Sequence, residues 1–297
     1  MSISDYQQTY IERIHQVVDY ITEHISDEIV LDDLAAVACF SPFHFHRIFT
    51  SMTGETPRNF IERLRLEKAA NCLCRMPGLS VSEVAQECGY SSISTFSRSF
   101  KKYHKVSPSQ YLKKHVYDYH FPDSPLYQFD TPEFKADISD VEIVSLPAFH
   151  LAYVQILNGY ASGIPKSWQK LLCYGNAHQL ITPETLFIGM PFDNPGVTPR
   201  QKCRYRACIT ISPDIKMSKG EVKTSDVKAG RYAKYHFHGK PIQLFNVYAF
   251  LYGKWLPQSG YIPDEKPLLE IYPPELHANY TEDQYVDYDI MLPVRPL

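Results

Sequence analysis

No stretch of this 297-residue chain approaches the ~20 consecutive apolar residues that cross a bilayer, so neither a membrane helix nor a membrane partner is expected. The opening residues Met1-Ser2-Ile3-Ser4-Asp5-Tyr6 hold no basic segment and no apolar one, and a secretory signal is not expected. Cysteine is sparse and unpaired. There are seven, an odd number with no C-x-x-C, which excludes a disulfide scaffold and fits reduced thiols in the cytoplasm. No nucleophile, base and acid stand together in a recognisable pattern, so the chain is not expected to be an enzyme. His44-x-His46 lies on a predicted helix, where positions i and i+2 do not face each other. His236-x-His238 shares one face of a predicted strand, but the sequence places no third Cys, Asp or Glu beside it, so no metal site and no cofactor are expected.

What remains is a globular composition, 44% apolar and 21% charged, with enough length for about two domains. The net charge of −3 conceals a split. Residues 1–39 carry eight acids against one base, whereas residues 40–115 carry twelve bases against five acids. Residues 116–297 are close to balance and hold both tryptophans and 16 of the 22 tyrosines. Contact with a polyanion is therefore expected of residues 40–115.

The positive segment contains a repeat. Leu34-Ala35, Phe40-Ser41, Phe45-His46-Arg47-Ile48-Phe49 and Thr56-Pro57 are echoed by Val84-Ala85, Tyr90-Ser91, Phe96-Ser97-Arg98-Ser99-Phe100 and Ser107-Pro108, at an offset of 50 residues and then 51. Ser41-Pro42 predicts a helix start, because the hydroxyl accepts an orphan backbone N–H and proline costs nothing at the first helical position. Beyond it Phe45, Ile48, Phe49 and Met52 form one buried stripe, and Phe43, His46, Arg47 and Thr50 the opposite one. In the second copy Phe96, Phe100 and Tyr103 face inward, and Ser94, Ser97, Arg98 and Lys101 outward. Ser80-x-x-Glu83 predicts a capping box on the supporting helix, where the first copy has Val30. Phe60–Arg75, free of Gly and Pro, predicts a connecting helix stopped by Pro77-Gly78, and at ~1.5 Å per residue it is about 24 Å long. Such a rod suits two helices held about one DNA turn, ~34 Å, apart.

These residues carry a resemblance. Residues 8–115, with R-L-R-L-E-K-A at 63–69, G-Y-x-S at 89–92 and F-x-R-x-F at 96–100, resemble the DNA-binding domain of the AraC/XylS transcription regulators, placed first in the chain as in the Rob-like arrangement. The resemblance implies that Phe43, His46 and Arg47, and in the second copy Ile93, Ser94, Ser97 and Arg98, face the bases of double-stranded promoter DNA. Thr50, Lys101, Lys102 and Lys105 are expected on phosphates. Plainer readings stay open: Arg47 and Arg98 pairing with acids inside the bundle, and the lysines as a solvated face.

Residues 116–138, with Pro122, Pro125 and Pro132, read as a linker. After it the texture changes to short alternating runs, Val141-Glu142-Ile143-Val144 and Ala152-Tyr153-Val154-Gln155, then a helical stretch around Ser167–Gln179. A second round starts at Glu221-Val222-Lys223, passes Tyr232 to His236 and enters a helix near Ile242–Leu256. Ala148 and Ala229, like Ala152 and Ala233, are 81 residues apart, which predicts a duplicated strand-helix-strand-strand unit forming one antiparallel sheet, with a hollow at its pseudo-two-fold axis. Residues 140–295, through V-E-I-x-x-L-P-A-F, D-N-P-x-V-T-P, G-R-Y-A-x-Y-x-x-x-G-x-P, W-L-P-x-S-G-Y and L-E-I-Y, resemble the GyrI-like small-molecule-binding domain. The resemblance implies that Glu270 points into the hollow. A carboxylate among aromatics such as Trp168, Tyr248, Tyr252 and Tyr272 would draw in an amphipathic cation. Three alternatives stay open: Glu270 pairing with a nearby Arg or Lys, the aromatics serving only as core, and Arg204-Tyr205-Arg206 shifting preference toward neutral or anionic ligands such as bile salts.

The expected fold is thus multidomain. An all-α double helix-turn-helix domain (1–115) is followed by a linker (116–138) and an α+β GyrI-like effector domain (139–297). The expected function is a cytoplasmic transcription regulator, activating in sense and monomeric on DNA, that inserts two helices into adjacent major grooves, touches RNA polymerase and senses an amphipathic effector. Rivals are a ligand-independent activator whose second domain recruits or sequesters, and a hydrolase fused to a DNA-binding domain.

Overall fold

The computed structural model describes residues 3–75, 79–117, 136–157, 160–194, 198–217, 220–274 and 285–297. Most of the expected linker, 118–135, and the expected Pro77-Gly78 stop lie outside the described residues. Backbone contacts divide the chain into two units, Met1–Tyr119 and His120–Leu297.

The first unit is helical: α1 (Ile3–Glu23), α2 (Leu31–Val37), α3 (Pro42–Thr53), α4 (Pro57–Arg75), α5 (Val81–Glu87), α6 (Ile93–His104) and α7 (Pro108–Tyr117). The two copies are α2-turn-α3 and α5-turn-α6. Each turn has the same wiring, the amide of Phe40 bonding the carbonyl of Ala35 and that of Tyr90 the carbonyl of Ala85, both at 2.9 Å. Each needs one left-handed residue, Cys39 (φ 54°) in the first and Gly89 (φ 74°) in the second. Ser41 and Ser92 cap the reading helices α3 and α6, and the capping box of Ser80 and Glu83 is formed on α5, whereas Val30 gives α2 no side-chain cap. Phe45, Phe49, Phe96 and Phe100 are wholly buried, as their spacing predicts.

The connecting helix α4 departs from the prediction at both levels. It starts at Pro57, which supplies its first turn, three residues before Phe60. It also buries charge that an apolar pattern cannot reveal. Arg63 bonds Glu55 and Glu67, each at 3.1 Å, and Glu67 accepts the Tyr103 hydroxyl at 2.8 Å, with Arg63 and Glu67 only 5% and 3% exposed. A buried charge is tolerable when its hydrogen bonds are met in this way.

The second unit is a mixed layer of sheet and helices: β1 (Val141–Leu146), β2 (Phe149–Ile156), α8 (Tyr160–Ala177), β3 (Phe187–Pro191), β4 (Tyr205–Thr210), β5 (Lys223–Val227), β6 (Gly230–Gly239), α9 (Leu244–Phe250), β7 (Tyr261–Pro263), β8 (Leu269–Tyr272) and β9 (Val286–Pro296). Helix α8 starts earlier than the predicted Ser167, with Pro165 inside it, and α9 runs on into a π-helical turn, Leu251–Trp255. Among the described residues the strands form one antiparallel sheet in the order β1-β6-β9-β8-β3-β4-β2-β5, with β7 on β9.

The 81-residue repeat is visible in the register, with a twist. Ile143 of β1 faces Ala233 of β6, and Thr224 of β5 faces Ala152 of β2, so the offset carries one pair onto the other. Each repeat therefore lends its first strand to the other. The repeats meet where β3 pairs with β8, Ile188 opposite Ile271. Side chains alternate along each strand. One face carries α8, over Ala152, Val154, Tyr205, Ala207 and Ile209, and α9, over Ala233, Tyr235, Tyr288, Ile290 and Leu292. The other face buries Leu151, Tyr153, Ile188, Met190, Leu269 and Met291.

Candidate DNA interface and ligand site

On α3 the expected base-facing residues stand in solvent. Phe43 is 65% exposed, an unusual position for a large ring, and His46 and Arg47 are exposed beside it. The Arg47 guanidinium lies 5.7 Å from the centroid of the Phe43 ring, one turn back on the same face. Thr50 is half-buried and donates its hydroxyl to the His46 carbonyl. On α6 Ile93 is 52% exposed, Ser94 and Arg98 are exposed and Ser97 is half-buried. The Ser94 and N-cap Ser92 hydroxyls lie 2.9 Å apart. Lys101 and Lys102 are exposed on the last turn, and Lys105 forms the left-handed cap (φ 66°), its ammonium donating to the Lys102 carbonyl.

Pairing of Arg47 or Arg98 with acids of the bundle does not occur among the described residues. Three carboxylates of the bundle are engaged elsewhere: Glu62 accepts the Ser99 hydroxyl at 2.7 Å, and Glu55 and Glu67 hold Arg63. The two outward stripes thus remain available to an external partner, each an apolar residue followed by a guanidinium.

The second site forms at the repeat junction. Glu270 on β8 shares the helix-bearing face with Ile290 of β9, opposite it on one side, and Gly189 of β3, opposite it on the other. Tyr272, two residues on, packs against both helix clusters, so Glu270 sits at their seam. Its carboxylate is held by hydroxyls: Tyr248 from α9 donates to Oε1 and Tyr272 to Oε2, both at 2.8 Å. Tyr205 joins the ring through Tyr272 at 3.3 Å and accepts the Trp168 indole N–H at 3.3 Å. Tyr252 lies half-buried in the α9 cluster, on the π-helical turn. Burial raises the Glu270 pKa above the usual carboxylate range, only partly offset by the hydroxyls of Tyr272, Tyr248 and Tyr205. Among the described residues no Arg or Lys pairs with it.

Three features were not legible beforehand. Gly189 makes room for the acid, since a Cβ there would stand 2.8 Å from Glu270 Oε2 and 2.2 Å from the Tyr205 hydroxyl. Glu270 is 5% exposed, and tyrosine hydroxyls occupy its oxygens where the hollow was expected. The two arginines flanking Tyr205 turn away from the acid. Arg204 makes a buried ion pair with Asp193 at 2.7 Å, and Arg206 bonds Gln155 and lies 4.3 Å from the Tyr153 ring, on the opposite sheet face. Arg204 and Arg206 are thus engaged with Asp193 and Gln155.

The paired histidines also acquire neighbours. The β6·β9 register sets Asp289 opposite His236 and Asp287 opposite His238, at 2.9 and 3.1 Å, in an exposed ladder of imidazole–carboxylate pairs. Among the described residues no group of three or more His, Cys, Asp and Glu is arranged to hold a metal ion. No described helix is long and apolar enough to cross a membrane.

Comparison with known proteins matches both units. Residues 139–295 match the GyrI-like small molecule binding domain and residues 34–114 a helix-turn-helix domain. The chain is 32% identical over 112 residues to the "Probable transcriptional regulator LumQ" of Photobacterium leiognathi, covering 37% of this chain and 45% of LumQ. It is also 32% identical over 114 residues to the "Transposon Tn10 TetD protein" of Escherichia coli, covering 38% of this chain and 82% of that protein. A crystal structure of the DNA-binding domain of AdpA with a target DNA shares 30% identity at a TM-score of 0.34, covering 37% of this chain and 97% of that domain. The chain spans less than half of LumQ, and 34% of the "HTH-type transcriptional regulator MtrA" of Neisseria gonorrhoeae. By the match over residues 139–295 the chain belongs to the family of the GyrI-like small molecule binding domain, joined here to an AraC-type helix-turn-helix domain of the kind found in transcription regulators.

Proposed function

We propose that the chain is a cytoplasmic transcription activator that reads one promoter element with two helices and senses an amphipathic cation through Glu270. The observation that carries the reading is the pair of outward stripes, Phe43-His46-Arg47 and Ile93-Ser94-Ser97-Arg98, exposed except for the half-buried Ser97, on reading helices whose cores and caps are duplicated. Exposed arginine bonds guanine edges, and an apolar neighbour contacts thymine methyls. Thr50, Lys101, Lys102 and Lys105 border these stripes and supply phosphate contacts. One chain fills two successive grooves without dimerising, and RNA polymerase is contacted beside the promoter. Footprinting of the full chain on duplexes selected from a random library tests this: two protected major-groove segments about one turn apart are expected, and protection of a single segment overturns it.

The ligand reading rests on a buried acid whose oxygens are held, among the described residues, by tyrosine hydroxyls. A lipophilic cation that displaces Tyr248 and Tyr272 gains the carboxylate charge and the ring faces, worth ~0.5 to 2 kcal/mol per cation–π contact. Trp168 and Tyr252 extend the aromatic wall on either side. Thermal unfolding with tetraphenylphosphonium as probe is expected to show a saturable rise in Tm that Glu270→Gln abolishes. Burial raises the Glu270 pKa above the usual carboxylate range and the cation pairs with the ionised form, so the rise in Tm grows as pH increases above that range. An equal rise in the variant removes Glu270 from the site, and no rise with any amphiphile favours the ligand-independent activator.

A further inference from the structure

The two helix-turn-helix copies do not pack directly against each other everywhere. A cleft of about 600 Å³ separates Leu31, Leu34 and His46 of the first from Tyr90, Thr95 and Ser99 of the second. A cleft of that size leaves the separation of α3 and α6 to whatever bridges its floor, which is α4. One bridge is Glu67, which ties Tyr103 of α6 to the Arg63–Glu55 pair behind α3. The other is built from long cationic side chains that end on backbone carbonyls of both copies.

Arg65 donates from Nε to the Ile25 carbonyl at 2.9 Å and from Nη2 to the Asp27 carbonyl at 2.5 Å, in the loop that leads into α2. The same guanidinium lies against the turn of the second copy, 3.0 Å from where a Gly89 Cβ would stand. Lys68, one turn further, donates to the Ser26 hydroxyl at 2.9 Å and to the Glu87 carbonyl at 2.8 Å, and Ser26 itself donates to Glu87 at 2.7 Å. Residues 25–27 and 87–89 are thereby bolted together through α4. These bonds use a guanidinium fork and an ammonium, whose charge-assisted bonds are stronger and more directional than neutral ones.

We infer that Arg65 and Lys68 set the separation of the two reading helices, and so the spacing of half-sites that the protein accepts on DNA. The inference rests on the two-groove reading above. Both act as positioning residues, placed away from the bases, and their removal changes which spacing is bound rather than which bases are read. Each base pair inserted between half-sites turns one groove relative to the other by about a tenth of a turn. A rigid junction rejects that change, and a loosened one follows it.

The test is selection by the full chain from a library of random duplexes, for the native protein, Lys68→Met, and Arg65→Met with Lys68→Met. The native protein is expected to recover two half-sites at one separation, and to bind a duplex with one inserted base pair about tenfold more weakly, as for one mismatched pair. The double variant is expected to recover the same half-sites over several separations, with that penalty reduced to about threefold or less, and Lys68→Met to fall between them. One unchanged separation in both variants overturns the inference while leaving the two-groove reading intact. A single half-site from the native protein overturns both. Thermal unfolding checks that the double variant folds, and if it does not, Lys68→Met decides alone.

Discussion

The two helix-turn-helix copies share their interior and differ at their edges. Phe45 and Phe49 repeat as Phe96 and Phe100, all fully buried, and Ser41 repeats as Ser92 at the reading-helix cap. The left-handed positions are filled in opposite order. The first copy has Cys39 in the turn and Gly54 after the reading helix, the second Gly89 in the turn and Lys105 after the helix. Space explains one half of this exchange. A Cβ at Gly54 would meet nothing within 4 Å, whereas one at Gly89 would press on Arg65. Packing thus constrains what is duplicated, and the outward faces are where the copies diverge: an aromatic ring with imidazole and guanidinium on α3, isoleucine with hydroxyls and guanidinium on α6.

The divergence can be sharpened first on the reading faces. Arg47→Ala is expected to cost ~1 to 3 kcal/mol of DNA affinity and to relax base preference at the position it reads. Arg98→Ala, on a stripe whose other polar groups are hydroxyls rather than an imidazole, is expected to cost less and to relax preference less, measured by equilibrium titration against selected and random duplexes at one salt concentration. Equal losses on both kinds of duplex for Arg47→Ala would leave it as a phosphate contact. The smaller contrast lies in the supporting helices. Ser80→Ala removes the cap of α5 and is expected to lower stability by about 1 kcal/mol, while Val30→Ser supplies α2 with the hydroxyl it lacks and is expected to raise stability by ~0.5 to 1 kcal/mol, read by urea unfolding. Opposite signs from equivalent positions would show that the copies are unequally finished.

Local signals were legible in the sequence because they depend on neighbours a few residues away. The caps at Ser41 and Ser80 and the phenylalanine stripes are of this kind, whereas the 81-residue repeat was legible as matching alanines at one fixed offset. What depends on partners far along the chain was not legible. Asp287 and Asp289 reach His236 and His238 only through the β6·β9 register. Arg63 and Glu67 are buried inside a helix that reads as amphipathic, because each is neutralised by a partner from another element. Gly189 is set by the acid and the tyrosine on the two strands beside it, and the direction of Arg206 is set by strand parity, visible only once the strand limits are known. Glu270 was singled out through resemblance alone, since nothing in Leu269-Glu270-Ile271-Tyr272 distinguishes an inward acid from an outward one.

The lending of first strands between the two repeats has a consequence for the carboxylate. A half-length chain would have no partner for its opening strand and would complete its sheet only by joining a second copy, with β3-like strands paired across a true dyad. In such an assembly every substitution appears twice, so an acid beside the dyad would face its own image and repel it. Within one polypeptide the two places differ: the 81-residue offset carries Gly189 onto Glu270, so the acid faces a glycine rather than a second acid. Covalent fusion is what permits a single acid at the centre of a nearly symmetric unit.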